Sequence, residues 1–179
     1  MIQIQSLKNS LENVKLEVLK DTFSKFRCPK DEDIERFLSE ISIDYEKFNI
    51  CRTFFVMDSD IPGEILGYFS IGLNVMHFDE KIPVKDAYEG INLYENGYRP
   101  IYKLFMIGKN SLYQNVVKMA DIFNTVIVTY LKDTQEFVGG ELVYIDCDPQ
   151  LKKYYNDLGF TYYDTLEQEE PLIRMIRKI

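Results

Sequence analysis

The sequence predicts one α/β domain, spanning residues 1–179, with a central mixed β-sheet and helices on both faces. Three observations predict it. The apolar residues switch between a period of two and a period of about 3.6 along the chain. Strands outnumber helices. Strand pairs close enough for hairpins are mixed with strands separated by helices, and such strands need crossovers. A chain of 179 residues is long enough to bury one continuous core.

The first residues leave two readings open. Val14, Leu16 and Val18 alternate as a strand does, whereas Leu7, Leu11 and Leu19 suit a helix. The first clear element is a helix from Asp31 to Phe48. Ile34, Phe37, Leu38, Ile41, Tyr45 and Phe48 fall at helical spacing and form one apolar stripe. Pro29 precedes it, and Asp31, Glu32 and Asp33 place negative charge where the helix dipole favours it.

Arg52–Met57 is rich in β-formers and ends in the turn-prone Asp58-Ser-Asp-Ile-Pro-Gly63. Glu64–Leu73 resumes the pattern, so the pair reads as a hairpin. Residues 76–98 are polar, contain Pro83, Gly90 and Gly97, and read as a loop with room for a short helix. Ile101–Ile107 is a strand that Gly108 breaks. Val116, Met119, Ala120, Phe123, Val126, Ile127 and Tyr130 then mark a helix from Val116 to Leu131, weakened by the β-branched Val126-Ile-Val128. Gly139-Gly140 leads into the strand Leu142–Asp146.

Asp148-Pro149 is a helix start, with an N-cap aspartate before proline at the first helical position. Leu151, Tyr154, Tyr155 and Leu158 share one face, and Gly159 ends the helix. Phe160–Tyr163 and Leu172–Ile176 form a last hairpin. The order is β-α-β-β-(loop)-β-α-β-α-β-β.

Composition narrows the function. A net charge of −8 argues against nucleic acid as a principal partner, because phosphate binding needs a basic footprint. The longest strongly apolar uncharged run, Leu66 to Phe78, holds 13 residues including Ser70 and Asn74, too short for a bilayer crossing. No basic stretch leads into an apolar one at the N-terminus, and Cys28, Cys51 and Cys147 form no CxxC pair. Free thiols in the cytoplasm are expected. All three read as small core residues, with Cys28 beside Pro29 at an element boundary.

His77 has no second histidine to share a metal, so it reads as a loop residue and no metal is expected. Cys147 has no histidine near it in sequence to activate a thiolate. Glu167-x-Glu169-Glu170 reads as a solvated turn. Between Glu95 and Asp121 there is no carboxylate, while Arg99, Lys103, Lys109 and Lys118 lie inside. Two readings stand, a mildly basic face or an electropositive mouth for a phosphate-bearing ligand.

Phe26-Arg-Cys28, the helix Asp33–Tyr45, Arg52-Thr53 and Gly67-Tyr-Phe-Ser70 resemble the front half of the GNAT N-acetyltransferases. Val138–Cys147 followed by Leu151-Lys-Lys-Tyr-Tyr-Asn-Asp-Leu-Gly-Phe160 is similar to the family's C-terminal half. The resemblance covers residues 26–176 and keeps element order. It implies two parallel strands that splay, here Leu104–Ile107 and Leu142–Cys147, with the pantetheine arm of acetyl-CoA pairing along the exposed edge. It implies a pyrophosphate-binding loop between Gly108 and Asp121 whose backbone N–H groups wrap the phosphates. The implied cofactor residues are Phe105, Met106, Ile107, Lys109, Lys118, Met119, Ala120 and Asp121. Tyr155 aligns with the tyrosine that many members use as general acid toward the departing CoA thiolate.

The sequence also departs from the family. Its loop usually reads Gln/Arg-x-x-Gly-x-Gly/Ala, because glycines let the backbone approach phosphate. Here Lys109–Ala120 contains no glycine. Bulky Phe105 stands where close relatives carry a small residue and is expected to narrow the cofactor site. No general base is singled out among Glu64, Asp146 and Asp148.

Two functions are compatible with these residues. One is an acetyl-CoA-dependent N-acetyltransferase acting on a small or protein amine, a cationic one suiting the acidic chain. GNAT toxins that acetylate aminoacyl-tRNA look similar in the front half, but the charge makes tRNA an awkward partner. The other is a catalytically inactive GNAT-fold protein acting as a binding module. A homodimer through the C-terminal strands is common in the family, though no residue here requires it.

Overall fold

A computed structural model describes residues 1–78, 97–167 and 171–179. Of the predicted loop 76–98, residues 79–96, with Pro83 and Gly90, lie outside the described residues, as do Glu169-Glu170, while Met76, His77 and Tyr98 at its ends belong to strands rather than to a loop. The described strands form a mixed seven-stranded sheet, in the hydrogen-bonded order β1-β2-β3-β4-β5-β7-β6. The chain divides into two compact units. Unit 1 comprises Met1–Gly72 and Leu104–Ile122; unit 2 comprises Leu73–Lys103 and Phe123–Ile179.

Unit 1 opens with β1 (Ile2–Ser6), α1 (Leu7–Asn13) and α2 (Leu16–Ser24). The first strand is therefore not at Val14–Val18. Val14 terminates α1, while Leu16 and Val18 are exposed on α2. Leu19 and Phe23, four residues apart, give α2 its buried face, and the helical period prevails because that face has a core to meet. The Ser6 hydroxyl accepts from the Asn9 N–H at 3.1 Å and starts α1. β1 pairs antiparallel with β2 (Arg52–Asp58), from Ile2↔Asp58 to Ser6↔Phe54. β2 pairs antiparallel with β3 (Gly67–His77), confirming the hairpin.

The helix predicted from Asp31 to Phe48 is α3 (Glu32–Arg36), a π-turn at Phe37–Ile41, and α4 (Ser42–Lys47). Asp31 caps it by accepting from the Asp33 N–H at 3.1 Å. The π-turn inserts one residue, rotating the later positions by roughly 100° relative to an uninterrupted helix. The buried set after it is accordingly Ser42, Ile43 and Glu46, and Phe48, expected on the stripe, is 73% exposed. Phe37 stacks parallel to Tyr68 with centroids 6.4 Å apart and meets Tyr45 edge-on at 5.6 Å. Buried Glu46 is paired with Arg52 at 2.7 Å and accepts from the Thr53 N–H at 3.0 Å, so its charge is matched.

β4 (Tyr98–Lys109) passes from unit 2 into unit 1. Gly108, expected to break it, lies inside it. A Cβ there would approach Ile34 Cγ2 to 2.3 Å, so glycine is selected by close packing.

In unit 2, β4 pairs in parallel with β5 (Leu142–Cys147) at Tyr102↔Val143 and Lys103↔Tyr144. β5 pairs antiparallel with β7 (Leu172–Lys178), which pairs antiparallel with β6 (Thr161–Leu166). The predicted helix at Val116–Leu131 begins as α5 (Met119–Ile122), passes through a π-turn at Phe123–Ile127 and continues as α6 (Val128–Val138). Burial of Phe123, Ile127 and Leu131 outweighs the weak helix propensity of the β-branched run. Asp148 accepts from the Gln150 N–H at 2.7 Å, a 3₁₀ turn comes next at Pro149–Leu151, and α7 (Lys152–Asp157) ends at Gly159, φ +82°. No helix among the described residues is long and apolar enough to cross a membrane.

Candidate functional site

The candidate residues fall in two groups, one in each unit. In unit 1, β4 leaves its last β5 partner at Lys103 and stays extended for Leu104–Lys109. A strand held on one side by β3 and continuing past its other partner has backbone to offer a ligand. Phe105 and Met106 pack against the unit 1 core. The Phe105 ring meets Tyr45 edge-on at 6.1 Å and lies over Gly72, where a Cβ would come within 2.8 Å of it. The bulk expected to narrow the cofactor site is thus taken up inside unit 1. Ile107 is half-buried.

After β4 comes a 3₁₀ turn at Ser111–Tyr113, then irregular chain to α5. The Lys109 ammonium donates to the Gln114 carbonyl and so closes this loop on itself. Among the described residues, the backbone N–H groups of Asn115 and Lys118 have no backbone acceptor. Lys118 is exposed and makes no ion pair with a described residue. Met119 and Ala120 are half-buried, with Met119 Sδ 3.0 Å from the Cβ position of Gly67, and Asp121 is exposed in the first turn of α5. Open N–H donors beside a lysine side chain are the kind of group that meets a phosphate.

A residue that sequence reasoning missed shapes this loop. Asn110 is only 2% exposed. Its Nδ2 donates to the Ile65 carbonyl at 2.9 Å, and its Oδ1 accepts from the N–H groups of Leu112 at 3.1 Å and Arg27 at 3.4 Å. Its own N–H donates to the Leu66 carbonyl at 2.8 Å, and the Ser111 N–H donates to the Arg27 carbonyl at 2.7 Å. The one signal in the sequence was an asparagine directly after a strand, where its side chain can bond the chain two residues on.

In unit 2, Tyr155 sits on α7 and is 4% exposed. Its ring is edge-on to Phe160 at 5.6 Å and to Tyr154 at 5.1 Å. The carboxylates considered as bases are all engaged. Asp146 accepts from Arg174 Nε at 2.7 Å and Nη2 at 3.0 Å, with Lys103 Nζ 3.5 Å away. Asp148 caps the turn before α7, and Glu64 interacts with the Tyr113 phenol. Arg174 and Lys103 also lie over the Tyr144 ring, at 4.6 Å and 5.5 Å, and Asn74 donates to the Tyr144 hydroxyl at 2.6 Å. Of the four basic residues in the carboxylate-free stretch, three are engaged in their own units. Arg99 lies 4.0 Å from Glu141, Lys103 faces Asp146 and Lys109 holds Gln114.

Burial pushes the thiols of Cys51 and Cys147 up to about 11, and raises that of half-buried Cys28. None is an activated nucleophile. His77 ends β3 rather than lying in a loop, exposed against the Tyr98 ring at 4.8 Å. Among the described residues no group of His, Cys, Asp and Glu could hold a metal ion.

No family model matches the chain, and no curated protein does. Solved structures do. One, described as a bacterial toxin, is 16% identical with a TM-score of 0.72, covering 100% of this chain and 91% of its own. AtaT complexed with acetyl-methionyl-tRNAfMet is 16% identical with a TM-score of 0.69, covering 97% of this chain and 94% of its own. A tyrosine-to-phenylalanine mutant of the AtaT toxin, bound to the C-terminus of the antitoxin AtaR and acetyl-CoA, is 14% identical with a TM-score of 0.66, covering 99% of this chain and 92% of its own. The chain therefore has the GNAT fold of these toxins.

Proposed function

We propose that this chain is an acetyl-CoA-dependent N-acetyltransferase acting on an amine. The observation that supports it most directly is the pairing of β4 and the loop after it. Six extended residues continue past the last β5 partner and lead into a loop whose Asn115 and Lys118 N–H groups have no backbone acceptor, beside the Lys118 ammonium. A pantetheine arm carries amide groups that match a strand edge, and a pyrophosphate matches the donors. The AtaT structure with acetyl-CoA, on the same fold, supports the same ligand.

Bound acetyl-CoA supplies an activated acyl thioester. The Leu104–Ile107 backbone holds the pantetheine arm, and the loop N–H groups with Lys118 hold the phosphates. Lys109 acts in the loop by closing it, Phe105 and Met106 act as strand backbone, and Met119, Ala120 and Asp121 form the start of α5 beneath it. Tyr155 serves as general acid, its phenolic O–H giving up a proton to the departing thiolate sulfur. The acceptor amine attacks the thioester carbonyl carbon directly, the new C–N bond forming as the C–S bond breaks, and the amine's surplus proton passes to water.

The acceptor in this reading is a small-molecule or protein amine, and the acidic sequence suits one that is cationic. AtaT, with acetyl-methionyl-tRNAfMet in its complex, places aminoacyl-tRNA among the acceptors to assay. The glycine-free loop favours a second reading, a GNAT-fold binding module without catalysis. Calorimetric titration with acetyl-CoA and CoA separates the two. Micromolar binding that weakens on Lys118→Glu supports the enzyme, and the absence of heat or thermal shift at millimolar ligand sinks it.

A further inference from the structure

We infer that Asn110 is a positioning residue that does for this loop what glycines do in its relatives, holding the donor run in the shape a CoA pyrophosphate requires. The inference rests on the acetyl-CoA reading above. A loop meets phosphate through its backbone only if several N–H groups point one way, and glycine permits that by widening the allowed φ/ψ. Between Lys109 and Ala120 there is no glycine, so ordinary residues must be held in place by bonds.

Asn110 supplies those bonds from a buried position. One amide side chain ties three separate stretches. Nδ2 reaches back to Ile65 before β3, and Oδ1 takes the N–H of Arg27 after α2 and of Leu112 in the loop itself. The Asn110 carbonyl accepts from the Tyr113 N–H at 3.0 Å, which folds the 3₁₀ turn. Lys109 then fastens the far side through the Gln114 carbonyl. The segment emerging from this brace is Gln114–Lys118, where the N–H groups of Asn115 and Lys118 are left without backbone acceptors. The brace acts on the phosphate end alone. The pantetheine surface is strand backbone in β4, shaped by pairing with β3.

This separation gives the test. Affinity for CoA and for pantetheine, which lacks the pyrophosphate and nucleotide, is measured by competition against acetyl-CoA for wild type, Asn110→Ala and Glu46→Gln. Glu46→Gln weakens a buried polar pair of the same unit and controls for lost stability. Asn110→Ala should bind CoA at least about tenfold more weakly and pantetheine within about twofold of wild type. Glu46→Gln should leave both affinities unchanged while lowering Tm. If Asn110→Ala does not fold, Asn110→Asp is read the same way, since it keeps an acceptor for Leu112 and Arg27 and loses the donor to Ile65. An Asn110 variant with wild-type CoA affinity, or one weakened equally for both ligands, overturns the inference. Wild-type protein that binds neither ligand overturns the acetyl-CoA reading and the inference with it.

Discussion

Tyr155 combines a packing role with the proposed chemical one, and the two separate cleanly. Its ring fills space against Phe160 and Tyr154, whereas proton donation needs only the hydroxyl. Tyr155→Phe keeps the ring, so turnover should fall by about 10²–10⁴-fold in a protein that still folds. Steady-state kinetics beside a melting curve checks this; full activity in the variant removes Tyr155 from the mechanism. The cysteines give an independent reading of burial. Cys28 is half-buried, while Cys51 and Cys147 are buried with thiols pushed up to about 11. A thiol reagent at pH 8 should therefore label Cys28 first and reach the other two only on unfolding, a sequence that mass spectrometry of the labelled peptides resolves. At this scale the sequence was legible for the place of Tyr155, on the helix that Asp148-Pro149 starts and Gly159 ends. It was illegible for Asn110, whose burial depends on Arg27 and Ile65, distant in sequence, and which local polarity marks only as loop.

Secondary structure followed from periodicity wherever the period was regular. The β2–β3 and β6–β7 hairpins, the strand β5 and the Asp148–Gly159 segment lie where turn residues and alternation put them. The misses have physical causes. Gly108 reads as a strand breaker, but its missing side chain is what lets Ile34 pack against β4. Gly108→Ala should cost about 1–3 kcal/mol through that clash, and the double variant with Ile34→Ala should lose less than the sum of the two single variants; losses that simply add would mean the two do not touch. The π-turn at Phe37–Ile41 is invisible to a stripe drawn at 3.6 residues, because one inserted residue rotates the later positions and leaves Tyr45 half-buried and Phe48 exposed. Two substitutions expose this. Phe37→Ala should cost about 3–5 kcal/mol, as a buried aromatic does, whereas Phe48→Ser should lie within about 0.5 kcal/mol of wild type. Denaturant unfolding of both decides it, and an unbroken helix would make the two costs similar.

Across the whole molecule, each compact unit holds one buried thiol, Cys51 in unit 1 and Cys147 in unit 2. Desolvation is the main cause of both shifts, with the carboxylates of Glu46 near Cys51 and of Asp146 and Asp148 near Cys147 adding to it. A thiol whose pKa rises on folding keeps its proton in the native state over a range where the unfolded chain has lost it. The native state then binds more protons than the unfolded one, and stability must fall as pH rises. The window runs from the ordinary thiol value of 9.0 to about 11, with the contribution complete below it and gone above it. Each thiol adds a slope of at most about 1.4 kcal/mol per pH unit, the limit for one proton. Unfolding free energies across this range should therefore decline in the wild type more steeply than in a Cys51→Ala, Cys147→Ala double variant. The double variant should start lower at pH 8, where its two cavities are its only handicap, and the curves should converge toward pH 11. Parallel curves would mean that the buried thiols titrate alike in the folded and unfolded chain, and that the two cores are open enough to solvate a thiolate.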